Sequence, residues 1–249
     1  MLELKNISKT FNPGTVNAKT ALDGLNLTLN DGDFITVIGG NGAGKSTMLN
    51  AVAGTIQVDT GSIILDGKDI TRLPEYKRAA YLGRVFQDPM MGTAATMQIE
   101  ENLAMADRRG KRRTLRKGIT AADRERYMEQ LKVLDLGLEE RMTAKVGLLS
   151  GGQRQALTLL MATLQKPELL LLDEHTAALD PKTAAKVLEA TQRIVEKDHL
   201  TTMMITHNMR DAIAYGNRLI MMHNGHVAVD VSGEEKRKLT VEQLLDLFS

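Results

Sequence analysis

The sequence predicts an α/β fold: a mostly parallel sheet with helices, an antiparallel β portion, and a helical insertion. Three observations predict it. "FITVIG" (Phe34–Gly39), "ELLLLDE" (168–174) and "TTMMITH" (201–207) are short, continuous apolar runs, as expected of strands buried on both faces. Helical patterns alternate with such runs. Between residues 88 and 165 the strand signal gives way to helical periodicity, which marks the insertion. The whole of 1–249 reads as one domain, with no internal repeat, long linker or heptad run.

The elements follow in order. Leu2 and Leu4, then Leu25, Leu27 and Leu29, alternate with polar positions and read as strands, with an Asn-Pro-Gly turn at 12–14. "FITVIG" enters a Gly-rich loop, and a helix runs from Lys45 to Ala53, closed by Gly54. "GSIILDGKDI" is a hairpin turning at Asp66-Gly67, and "AAYLGRVFQ" is a further strand. In the insertion, Thr120 with Asp123 forms a capping-box-like start, and Tyr127, Leu131, Leu134 and Leu138 mark an apolar face. A helix over 181–195, a hairpin at Asn224-Gly225 and a short helix from Val241 complete the chain.

Composition narrows the function. There is no cysteine, which excludes disulfides, thiol chemistry and Cys-ligated metals. A net charge of +1 gives no global argument for nucleic acid or an anionic membrane. The N-terminus lacks the apolar segment of a signal peptide, and no apolar run is long enough to cross a bilayer. These features predict a cytosolic protein, or one held at a membrane by a partner. Fourteen methionines against four phenylalanines predict a soft, adaptable core.

Two motifs carry chemistry. "GGNGAGKST" comprises Gly39, Gly40, Asn41, Gly42, Ala43, Gly44, Lys45, Ser46 and Thr47, and fits G-x-x-x-x-G-K-[ST] between a buried strand and a helix. Glycines let backbone N–H groups wrap a phosphate chain, and the helix N-terminus adds positive potential. Lys45 would reach the β- and γ-phosphates and Ser46 would bind Mg²⁺. "LLLLDE" is an apolar strand ending in two carboxylates. Asp173 would serve the Mg²⁺, and Glu174 would polarise the attacking water. Taken alone, that strand is equally one that merely ends in an acidic turn.

A third stretch is decisive. In "VGLLSGGQRQALTLL" Ser150 occupies an N-cap position, and Leu157, Leu160, Met161 and Leu164 follow at helical spacing. Two glycines in a first turn are costly, about 1 kcal/mol each against Ala. "LSGGQ" (Leu149, Ser150, Gly151, Gly152, Gln153) lies after the Gly-rich loop and before Asp173. In these motifs and their order, the chain resembles the ATP-binding-cassette (ABC) family of ATPases. The resemblance implies a RecA-like P-loop NTPase core with an antiparallel β subdomain and a helical signature subdomain. It implies Gln87 in "VFQDP" as the Q-loop glutamine, a further metal-binding residue. It also implies Ala178-Leu179-Asp180 as the D-loop, His207 as the switch histidine, and Phe11 against adenine. Singly these are weak, since a His at a strand end is often structural and Phe11 could be a core residue.

The resemblance further implies that two copies, or one copy and a second ABC ATPase, pair head to tail. Ser150, Gly151, Gly152 and Gln153 of one would then cap the γ-phosphate on the other's P-loop. Gly151 and Gly152 would be bare so that the phosphate meets backbone N–H groups, with close helix packing the alternative.

His175 in "DEHTAALD" stands where the family usually has Pro. It is either a tolerated turn variant or a titratable group near the nucleotide. The octapeptide is similar to one in a bacterial subgroup found with permeases and solute-binding lipoproteins for amino-acid-like solutes. "RRGKRRTLRKG" (108–118) carries seven basic residues, a solvated loop or a contact for lipid headgroups or nucleic acid. Met90, Met91 and Met97 are either core or an adaptable surface for a partner helix.

The expected function is the ATP-binding and hydrolysing subunit of a bacterial membrane transporter that imports an amino-acid-like small solute, its expected partners being transmembrane permease subunits and an extracellular solute-binding protein, with no nucleic acid. ATP and Mg²⁺ are its expected cofactors, and the cytoplasmic face of the cell membrane its expected place. The alternative is a non-transport ABC ATPase such as the iron–sulfur-cluster assembly ATPase. The long heptad insertion of the chromosome-maintenance ATPases is missing.

Overall fold

The computed structural model describes residues 1–111 and 118–246. Strands β1 (Leu2–Phe11) and β2 (Lys19–Leu29) form an antiparallel pair. Strand β3 (Phe34–Gly39) leads through the Gly-rich loop into α1 (Lys45–Ala53), which stops at Gly54 with φ +85°. Then come β4 (Thr60–Leu65), β5 (Lys68–Asp69), α2 (Glu75–Arg78) and β6 (Leu82–Val85). The insertion holds α3 (Ile99–Asp107), α4 (Ala121–Lys132) and α5 (Gly151–Thr163), with 3₁₀ turns at Glu139–Arg141 and Val146–Leu148. The chain returns as β7 (Leu169–Asp173), α6 (Pro181–Asp198), β8 (Thr202–Ile205) and α7 (Met209–Ala214). It ends with β9 (Arg218–His223), β10 (His226–Ser232), α8 (Gly233–Lys238) and α9 (Val241–Asp246).

Two sheets result. One is antiparallel, in the order β2-β1-β4-β5. The other runs β10-β9-β3-β8-β7-β6, parallel except for β10. The apolar runs are apolar throughout because both faces are covered. In β7, Leu169 and Leu171 enter one core while Leu170 and Leu172 enter another. In β8, Met203 and Ile205 join the first and Met204 the second. This period-two division feeds both layers from one strand.

The sheet order positions the site. β8 lies between β3 and β7, and all three are parallel. The segments after Gly39, Asp173 and Ile205 therefore leave the sheet at the same edge, where ligands of open α/β sheets bind. Asp173 is in register with Ile205, and Glu174 N–H donates to Ile205 O at 3.1 Å. Arg78, only 1% exposed, fixes the far end of α1 by donating to Ala51 O and Val52 O.

Some boundaries differ from expectation. The strand expected over 79–87 is only Leu82–Val85. The helix expected over 181–195 continues to Asp198, where His199 ends it with φ +47°. Residues 88–98 are not helical. The first basic residues of the 108–118 run are engaged rather than loose. Arg109 donates to Ala162 O at 2.9 Å and Gln165 O at 2.6 Å, at the C-terminal end of α5, and Lys111 pairs with Asp107. The rest of the run, 112–117, lies outside the described residues. Burial would raise the Asp107 carboxyl, but Arg126 and Lys111 outweigh it and hold it at about 2.

Candidate active site

The Gly-rich loop owes its path to close approach. A Cβ on Gly39 would lie 2.4 Å from Met222 O, and one on Gly44, whose φ is +100°, 2.4 Å from Ala21 O. Neither position has room for a side chain. The β9–β10 turn holds the loop, with Gly225 N–H donating to Ala43 O at 3.0 Å. Helix α1 begins with no side-chain cap and no acidic residue in its first turn. Its N-terminal N–H groups and positive end thus face the cleft without internal compensation.

The cleft measures about 360 Å³. Phe11, 36% exposed, forms one wall, and the loop from Asn41 through Thr47 forms the floor. Lys45 is buried and donates to Gly39 O at 2.7 Å and Gly40 O at 3.1 Å. Its ammonium therefore sits inside the loop that would cradle a phosphate chain. Burial pushes its pKa down, and the Glu174 carboxylate draws it back up.

Glu174 and His207 close the other wall. Glu174 Oε1 lies 2.5 Å from His207 Nε2. Glu174 has φ +47°, a left-handed conformation uncommon for a side-chain-bearing residue and concentrated at functional sites. Asp173 does not line this cleft. It is partly buried at the end of β7, and its Oδ2 lies 3.6 Å from Arg84 Nη2. Burial raises the Asp173 carboxyl and Arg84 partly offsets it.

Asp173 and the exposed Ser46 hydroxyl are hard oxygen donors of the kind Mg²⁺ takes. Among the described residues no group of three or more His, Cys, Asp or Glu side chains gathers to hold a metal. One or two protein oxygens would be enough for Mg²⁺, which completes its shell with water and phosphate.

Other expected residues lie elsewhere. Gln87 is exposed beyond β6 and does not line the cleft. Ser150, Gly151, Gly152 and Gln153 also lie outside it, at the start of α5. Ser150 Oγ accepts from Gln153 N–H at 3.2 Å, and Gln153 Oε1 accepts from Ser150 N–H at 3.2 Å, a reciprocal capping box.

Two readings that the sequence left open meet packing in the structure. A Cβ on Gly152 would fall 1.9 Å from Thr183 Cγ2 on α6, in keeping with the packing alternative. Gly151 differs, because its Cβ would meet only Leu179 Cδ2, at an ordinary 3.5 Å. His175 is not beside the cleft. It is buried against α6, with Nε2 3.2 Å from Thr191 Oγ1. Thr191 spends its own proton on Val187 O at 2.8 Å, so His175 Nε2 must be the donor. Burial takes this imidazole down to about 4, so it is neutral near pH 7.

Sequence reasoning missed Lys19 and Ala21 of β2, which also line the cleft. Lys19 pairs with Phe11 across β1 and β2, so the turn at 12–14 was the available signal. It missed Arg84 as well, because nothing local links a β6 arginine to the end of β7.

The ABC transporter family model matches residues 22–177, which span both the Gly-rich loop and the two carboxylates. The chain belongs to the ABC transporter family. It is an ATP-binding subunit of that family and an ATP hydrolase. The tyrosine transport ATP-binding protein of Clostridioides difficile is 46% identical over all of this ABC ATPase and 98% of its own length. The ATP-binding protein YxdL of Bacillus subtilis is 33% identical, covering 100% and 93%. The spermidine/putrescine import ATP-binding protein PotA of Pasteurella multocida is 34% identical over 94% of the chain, which spans only 59% of that relative. Among solved structures, the dimeric ATP-binding cassette MJ0796 bound to ADP and phosphate matches with TM-score 0.79 and 29% identity, covering 93% of this chain and 98% of that one. The ADP form of the cassette MJ1267 matches with TM-score 0.81 and 27% identity, covering 100% and 98%. No helix among the described residues is long and apolar enough to cross a membrane.

Proposed function

We propose that two copies of this ABC ATPase close head to tail on MgATP and drive a separate permease that imports an amino-acid-like solute. One observation carries the reading. Lys45, Glu174 and His207 share one cleft, whereas Ser150 and Gly151, at the start of α5, lie outside it. A second copy can supply what the cleft lacks.

In this reading Phe11 stacks on adenine, and Lys45 with the N–H groups of Gly39, Gly40, Asn41, Gly42, Ala43, Gly44 and Thr47 holds the phosphates. Ser46, Gln87 and Asp173 would hold Mg²⁺, which would neutralise phosphate charge. Gln87 reaches the site only if the segment after β6 shifts inward. Glu174 takes a proton from the attacking water. His207, 2.5 Å from Glu174, orients that carboxylate and meets the γ-phosphate. The partner copy presents Ser150, Gly151, Gly152 and Gln153.

The exposed Met90 and Met91 offer an adaptable surface for the permease. A complex of this kind lies at the cytoplasmic face of the membrane and receives its solute from an extracellular binding protein. The tyrosine transport relative supports an amino-acid-like solute, and the transport names of the relatives support transport over iron–sulfur-cluster assembly.

Glu174→Gln tests the reading. It keeps the side-chain shape but cannot accept the proton, so hydrolysis should fall by about 10²-fold or more. MgATP should then leave a stable dimer, seen by light scattering. Near-normal turnover would remove Glu174 from this role, and a monomer under saturating MgATP would remove the paired arrangement.

A further inference from the structure

Arg84 is a charged residue in a strand whose other members are buried, and its side chain is only 14% exposed. Its guanidinium is fastened at both ends. Nη2 donates to Asn50 Oδ1 at 2.6 Å, in the last turn of α1, and Nη1 donates to Thr55 Oγ1 at 3.0 Å, just beyond that helix. The Phe86 ring lies 4.5 Å from the guanidinium carbon. Nη2 also faces Asp173 Oδ2 at 3.6 Å. Arg84 Nε is buried without an acceptor.

An orphaned buried donor is costly, and a native structure that keeps one calls for an explanation. The anchors supply it. Asn50 is a fixed post in the chain, since its backbone carbonyl accepts from Gly54, Thr55 and Ile56 N–H. The fork therefore cannot turn to satisfy Nε without leaving Asn50 or Thr55. The same rigid fork spans two elements that must stay in register, α1 with Lys45 and Ser46, and the end of β7 with Asp173 and Glu174. A lysine could not do this, because one ammonium cannot match the planar fork.

We propose that Arg84 is a positioning residue. It ties the P-loop helix to the carboxylate strand and holds Asp173 by one oxygen, leaving the other to serve the metal. Arg84 touches neither nucleotide nor metal in this role. It acts as partners beyond the ligand shell do when they orient a metal-binding carboxylate. The inference rests on the assignment of Asp173 to Mg²⁺ given above.

The test is the factor by which Mg²⁺ tightens binding of a fluorescent ATP analogue, measured as the ratio of Kd in EDTA to Kd in Mg²⁺. The wild type should show tightening, and Asp173→Asn should largely lose it. If either fails, the assignment of Asp173 fails. Given both, Arg84→Met should reduce the factor by about tenfold while leaving the Kd in EDTA unchanged. Arg84→Lys should recover only part of it. A purely structural role would instead weaken binding equally in EDTA and Mg²⁺, and that result, or an unchanged factor, would overturn the proposal. Should Arg84→Met fail to fold, Thr55→Val on the exposed turn removes one anchor. It should shift the factor in the same direction by less, and an unchanged factor there overturns the proposal too.

Discussion

A methyl group added at Gly152 would lie 1.9 Å from Thr183 Cγ2. The signature helix and α6 thus meet with no room for a side chain, and the glycine is required by packing within one chain. Thr183 is not free to turn away. Its N–H donates to Asp180 Oδ1 at 3.1 Å at the cap of α6, and a β-branched threonine in a helix has few χ1 rotamers open to it. Gly152→Ala should therefore destabilise the protein by about 1–3 kcal/mol through overpacking, despite the better helix propensity of Ala. Adding Thr183→Ser, which deletes the offending methyl, should recover much of the loss. Urea denaturation of the two single variants and the double variant measures this coupling. Additive effects would show that the two residues do not oppose each other.

Gly151 is the cleaner probe of pairing between copies. It is exposed and has space for a side chain. Gly151→Asp should leave the fold and nucleotide binding by the single chain intact, yet abolish hydrolysis. A carboxylate facing the γ-phosphate in a water-poor interface would be strongly repelled. Lys45→Ala should be inactive for a different reason, loss of the buried ammonium held by Gly39 O and Gly40 O. Mixing the two inactive proteins is the decisive step. A head-to-tail dimer puts both lesions in one site and leaves the other intact, so the mixture should hydrolyse ATP. No recovery from two folded, mixed variants would count against the arrangement.

His175 makes a pH-dependent contribution with a definite sign. Its folded pKa is about 4 against an ordinary 6.5. Above pH 6.5 both folded and unfolded states hold it neutral, and its full contribution is present. As pH falls below 6.5 the unfolded chain takes up a proton that the folded chain refuses. Stability then drops progressively down to about pH 4, by roughly 3 kcal/mol in all. His175→Gln should flatten that part of the curve in urea denaturation at pH 7, 6, 5 and 4. Hydrolysis at pH 7 should change little, since the ring packs on α6 and not in the cleft. A parallel slope in the variant would mean that His175 titrates normally.

Much was legible in the sequence because it is locally encoded. A mostly apolar run of four to six residues has few ways to be satisfied other than a strand covered on both faces, and β3, β7 and β8 are such strands. Capping fixed the starts of α4 and α5 at Thr120 and Ser150, since a side-chain oxygen three residues before a free N–H is a local interaction. The Gly-rich loop was legible for the same reason: Gly44 has a backbone conformation that side chains rarely adopt.

Tertiary structure decided everything that depends on residues far apart in the chain. Gly151 and Gly152 look alike in sequence, but Thr183 lies against one and not the other. His175 follows Glu174 directly, yet the turn sends one side chain into α6 and the other to His207. Arg84 reaches Asp173 only because β6 and β7 pair in parallel, 89 positions apart. Lys19 reaches the cleft only because β2 folds back on β1. Local sequence sets backbone conformation through short-range sterics and hydrogen bonds. Which side chains then share a buried space is set by how whole elements pack, and no neighbouring residue carries that information.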